Sequence, residues 1–164
     1  MPAASPATPL VDVRVQPGPF DLPAESARLS ALPDVGAVVT FTGICRSDGG
    51  RLEALELEHY PGMAEEEIGR VAGEAAARWP IAGAIAVHRY GRIAAGEDIV
   101  LVATASAHRG AAFAAAEFLM DWMKTRAPFW KREIFKDGTV GPWVEARAAD
   151  DAAADRWRPD TAAE

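Results

Sequence analysis

The feature that most constrains this chain is a proline placed just after a long helical pattern. Phe113, Ala116, Leu119, Met120 and Met123 recur on one face of the run Ala111 to Arg126, the spacing of a core or interface stripe. Pro128 disfavours helical geometry in the residue before it, so the helix is expected to stop near Arg126 or Ala127 and Phe129 onward to run extended. Lys124 then stands on a helix end and Lys131 on a strand. The segment Lys124-Thr125-Arg126-Ala127-Pro128-Phe129-Trp130-Lys131-Arg132-Glu133 brings lysine and arginine to both sides of the break. Like charges gathered under aromatic cover favour the neutral amine, a state suited to acid–base or acyl chemistry. A plainer reading stands beside this one: basic groups in a last helical turn complement the dipole, and Trp130 fills core.

With 164 residues, the chain suits one domain that buries roughly 68–70% of its unfolded surface. A formal charge of −7 argues against a general nucleic-acid or anionic-membrane surface. Yet residues 121 to 136 hold Lys124, Arg126, Lys131, Arg132 and Lys136 against only Asp121 and Glu133. A cationic patch on an acidic protein points to a small anionic ligand. Cys45 is the single cysteine, which excludes an intrachain disulfide and any Cys-x-x-Cys motif and fits a reducing compartment. His59, His88 and His108 lack ligand-like spacing, so no metal is expected. Neither a signal-peptide pattern nor an apolar run of about 18 residues occurs, and the expected location is the cytoplasm.

Taken in order, residues 1–9 read as a disordered start, 10–147 as one domain and 148–164 as a mobile acidic, alanine-rich tail with Trp157 as its docking point. Leu10 to Val15 alternates as a half-buried strand. Ala24 to Leu32 makes a short helix, and Val35 to Thr42 reads as a buried strand. Leu52 to Tyr60 is a strand with one wet face, and Met63 to Trp79 a helix with acids in its first turns. Ala84 to Tyr90 and Ile99 to Ser106 form a long hairpin. Phe129 to Phe135 is a strand that turns at Asp137-Gly138. The fold class is α+β: one domain of mixed and antiparallel strands with two long helices.

Two further cationic positions stand out. Arg46 follows a strand in the loop Gly43 to Gly50, where ligands commonly bind, although a surface arginine in a turn is the default. His108 and Arg109 precede the helix of Ala111, whose free amides and positive dipole end favour an anion; the alternative is a solvated cap in which Ser106 or His108 satisfies backbone donors. Cys45, with no histidine expected beside it, reads as a small buried hydrophobe. No Walker loop, dinucleotide fingerprint or internal repeat appears.

The stretches GAVVTFTGICR (36 to 46), LEHYPGM (57 to 63), ASAHR (105 to 109), KTRAPFWKRE (124 to 133) and WVEAR (143 to 147) together resemble the large catalytic subunit of molybdopterin synthase. That resemblance implies an alpha/beta-hammerhead-like fold and a sulfurtransferase. It implies a small ubiquitin-like partner that inserts its C-terminal Gly-Gly thiocarboxylate and delivers two sulfurs to cyclic pyranopterin monophosphate, so that no cofactor is needed. It also implies a homodimer at the centre of a heterotetramer. Lys124 and Lys131 carry over as catalytic, with Arg46, His108, Arg109, Arg132, Glu133 and Arg147 around the substrate. Ile44 stands where the family commonly has lysine, and the loop 47–51 looks short, which affects pterin contacts nearby.

Arg109 and Lys124 lie fifteen residues apart on one expected helix, roughly 22 Å at 1.5 Å per residue. One compact pocket cannot easily use both, so the His108/Arg109 site of one protomer is expected to face the lysines of its twin. Two other readings remain open at this level. One is an adaptor that binds a ubiquitin-like tail without turnover; the other is a phosphoester hydrolase that needs no thiocarboxylated partner.

Overall fold

The computed structural model describes residues 7–145 and 155–158. Strands β1 (Leu10–Gln16), β2 (Ala37–Ile44), β4 (Ile81–Arg89) and β6 (Asp98–Ser106) form one sheet in the order β1-β4-β6-β2, and β3 (Leu52–His59), β5 (Gly91–Ala94) and β7 (Phe129–Phe135) form a second in the order β5-β3-β7. The helices are α1 (Leu22–Ser30), α2 (Met63–Arg78) and α3 (Arg109–Arg126). Among the described strands, β1 and β4 pair in parallel and the other pairs are antiparallel. The α+β architecture read from the sequence is the one found.

Strand alternation divides the larger sheet between two helical layers. Ile85, Val87, Leu101, Ala103 and Ala105 face Leu29 of α1. Their neighbours Ala84, Ala86, Val100 and Val102 turn the other way, onto Ile68, Val71, Ala75, Phe118, Leu119 and Met123 of α2 and α3. The alanines of α3 let it lie close: Ala112 and Ala115 are fully buried, and the buried Thr104 hydroxyl donates to the Ala112 carbonyl at 2.6 Å. That bond fixes the start of α3 on the sheet. At Gly83 a Cβ would meet Leu29 and Leu32 side chains within 3 Å, so glycine lets α1 close onto β4.

Several boundaries and orientations differ from the sequence reading. The first helix starts at Leu22 because Asp21 caps it, accepting from the Ala24 amide, and Pro23 fits the first turn. Strand β2 is an edge strand with Phe41 40% exposed, so the expectation of a buried strand fails. Its apolar residues do not report which neighbours the sheet supplies. The connection between β4 and β6 is more than a hairpin loop: Gly91–Ala94 pairs with Ala54–Leu57 of the second sheet. Phe113 is 60% exposed and leaves the buried face of α3 to Ala112, Ala115, Ala116, Phe118, Leu119 and Met123.

Cys45 is buried to 1% exposure, and burial pushes its thiol pKa up. Trp157 does dock: its ring meets Trp79 and Phe118 edge-on and its Nε1 donates to Asp121 at 2.6 Å. Most of the 148–164 tail, Arg147 and the first residues lie outside the described residues. Among the described residues, no helix is long and apolar enough to cross a membrane.

Candidate active site

The helix break occurs where the sequence places it. Helix α3 ends at Arg126, Ala127 is extended, and β7 begins at Phe129. Phe129 is held by stacking on His88, with ring centroids 3.8 Å apart and planes at 17°. Along β7, period-two alternation sends Phe129, Lys131 and Glu133 to one face and Trp130 and Arg132 to the other. The backbone of Val144 then pairs with that of Lys131 in both directions, at 3.1 and 2.8 Å, fixing the strand that presents the lysine.

Two clefts meet at these lysines. The first, of about 200 Å³, is mostly apolar, with Phe41, Leu55, Leu57, Met120, Met123 and Phe129 in its wall together with Glu145. The second, of about 320 Å³, is polar and is lined by Arg46, Asp48 and Glu133. Lys124 and Lys131 line both and are the only charged residues to do so. Asp48 is engaged by Arg51, which offsets its charge. The side chains of Arg46 and Lys124 make no ion pair or hydrogen bond among the described residues, so both are ready for an incoming anion. The loop that carries Arg46 is pinned by two backbone bonds, Cys45 N–H to the Glu97 carbonyl at 2.9 Å and Gly96 N–H to the Cys45 carbonyl at 2.7 Å.

The remaining sequence candidates fall elsewhere. Arg132 is turned away from the lysines, donates to Glu56 at 2.8 Å and lies over Trp143 at 4.6 Å. His108 and Arg109 are exposed at the opposite end of α3, which runs unbroken from Arg109 to Lys124, and neither lines either of these two clefts. Arg147 is outside the described residues. Among those described, no group of three or more His, Cys, Asp or Glu side chains could hold a metal.

Sequence reasoning reads His88 as a lone structural histidine on a strand and gives it no place in the site. Its Nδ1 lies 2.7 Å from the Arg89 carbonyl, and since a carbonyl only accepts, Nδ1 carries the proton. Burial pushes the ring pKa down to about 4, with the His59 and Lys124 charges acting in the same direction. A histidine held neutral in the fold and ordinary when unfolded binds fewer protons native than unfolded between about pH 6.5 and 4. The stability this neutrality secures is therefore complete above pH 6.5 and is lost as pH falls towards 4, by about 2–3 kcal/mol. Urea midpoints measured from pH 7 to 4.5 are expected to fall in the native protein and to fall less in His88→Gln. Parallel profiles would refute the assignment.

A family model described as MoaE protein matches residues 15–126. The molybdopterin synthase catalytic subunit of Mesorhizobium japonicum is 60% identical over 147 residues, 89% of this chain and 92% of that one. A solved structure titled as the molybdopterin biosynthesis MoaE protein from Burkholderia ambifaria superposes with a TM-score of 0.77 at 48% identity, covering 90% of this chain and 98% of that one. A Helicobacter pylori chain, titled as part of a protein–protein complex of subunits 1 and 2 of molybdopterin-converting factor, shares the fold at a TM-score of 0.68 and 19% identity, covering 83% and 90% of the two chains.

Proposed function

The chain belongs to the MoaE family, and from that membership we propose that it is the sulfur-transferring catalytic subunit of a molybdopterin synthase. It takes sulfur from the C-terminal thiocarboxylate of a small ubiquitin-like subunit and adds two sulfurs in succession to cyclic pyranopterin monophosphate, giving the dithiolene of molybdopterin. The observation that carries this reading is the position of Lys124 and Lys131 at the junction of an apolar cleft and a cationic one. A glycine tail suits the first, since it is slender and uncharged up to its end. A cyclic phosphate suits the second, where Arg46 offers a planar fork to its oxygens.

Roles follow from that division. The partner's sulfur is the nucleophile, so the chain needs neither a catalytic cysteine nor a cofactor of its own. Lys124 orients the thiocarboxylate and stabilises charge as the sulfur attacks, and Lys131 assists proton transfer or ring opening. Freeing each sulfur from the partner's acyl carbon consumes water and leaves a carboxylate on the tail. His108 and Arg109 complete the phosphate site from a second protomer, because α3 holds Arg109 about 22 Å from Lys124 of its own chain. Exposed Phe113 beside them and Phe41 on the edge strand supply apolar surface for such a self-association. Glu133 borders the cationic cleft and helps to position the substrate.

Incubating the chain with cyclic pyranopterin monophosphate and the thiocarboxylated small subunit is expected to yield the dithiolene product, and none without the partner or with its plain carboxylate form. Phosphate release in the absence of partner would instead identify a hydrolase, and tight partner binding without product an adaptor.

A further inference from the structure

We infer that His88 is the side-chain acceptor for a peptide N–H of the partner's glycine tail, a binding role that rests on the function proposed above. An extended tail brings amide donors as well as its reactive end, and an amide sealed in an apolar cleft without a partner costs several kcal/mol. The apolar cleft offers few remedies. Apart from His88, its wall is hydrocarbon and aromatic except for Lys124 and Lys131, which as ammonium groups only donate, and Glu145, whose carboxylate already accepts from Trp130 Nε1 at 3.0 Å. Among the described residues, His88 is the one neutral nitrogen or oxygen acceptor side chain in that wall.

Its geometry is preset for the task. The Nδ1–H bond to the Arg89 carbonyl fixes the tautomer and leaves the Nε2 lone pair free. Nε2 has no hydrogen-bond partner among the described residues, yet it is absent from the polar atoms sealed without one, which are Arg14 Nε and Trp122 Nε1. It therefore opens into the cleft. The ring cannot swing away, because it is stacked on Phe129, the residue that starts the strand bearing Lys131. One ring thus reads the tail's backbone while its stacking partner sets the position of the lysine.

The test measures binding of the full-length small subunit, in its stable carboxylate form, by calorimetry. His88→Phe keeps a stacking ring and removes the acceptor; His88→Gln restores a carbonyl acceptor. His88→Phe is expected to weaken the intact partner about five- to tenfold, the worth of one hydrogen bond, with His88→Gln recovering most of the loss. A semisynthetic partner with sarcosine in place of each tail glycine in turn removes one N–H at a time. At one of the two positions it should bind the native chain as weakly as His88→Phe binds the intact partner, and His88→Phe should add no further loss. Equal losses with intact partner and with a partner lacking the two glycines would mean that His88 is structural, and unchanged affinity in His88→Phe would also overturn the inference. If removing both glycines leaves the native chain's affinity untouched, the tail does not enter the cleft and the function proposed above falls with it.

Discussion

Lys124→Ala is expected to lower product formation by about 10²–10³-fold, the effect of removing one positioned charge from a developing anion, while leaving the fold and partner binding in place. The structure gives reason to expect a selective loss. Lys124 is exposed on the last turn of α3 and bonds to nothing among the described residues, so truncation opens no core cavity and orphans no carboxylate. Met123, its neighbour, carries the packing instead at 5% exposure. Single-turnover assays with thiocarboxylated partner, alongside thermal melting and calorimetric partner affinity, separate these effects. Normal turnover in the purified variant would remove Lys124 from the mechanism.

The second large effect concerns which chain completes which site. Arg109→Ala and Lys124→Ala homodimers are each expected to be nearly inactive at low substrate concentration. Co-refolding equal amounts should restore about a quarter of the native rate, because half the dimers are then mixed and each mixed dimer holds one site with both residues intact. If Arg109 and Lys124 served the same site from one chain, every site in the mixture would lack one of them and no activity would return. The unbroken α3 is what makes the experiment decisive, since no hinge between the two residues lets one chain fold them together.

The parts of this molecule legible in its sequence are those that local chemistry dictates. Pro128 alone predicts the helix end at Arg126 and the strand from Phe129, and the alternation in Leu52–His59 predicts a strand with one wet face. What the sequence withheld was set by distant partners. Four residues, Gly91–Ala94, are too few to show a period, and they become a strand only because β3 lies beside them. Phe113 fits the helical stripe by spacing but faces outward, since the alanines beside it allow a closer approach to the sheet. The lysines were found by their charge and their flanking proline. His88 was not, because a histidine in an apolar strand gives no sign of which neighbours it will meet; its role emerges only when β4, α3 and β7 converge on one cleft.

The burial of Cys45 has a consequence for a protein that handles activated sulfur. Residues 44 and 46 point outward at the mouth of the reaction space while the thiol between them is sealed inward and kept protonated. A nucleophilic thiolate at that spot would attack the carrier's thiocarboxyl carbon, forming a thioester with the enzyme and expelling the sulfur as hydrosulfide before it reached its acceptor. Turning this one side chain into the core leaves the delivered sulfur without a competitor on the enzyme.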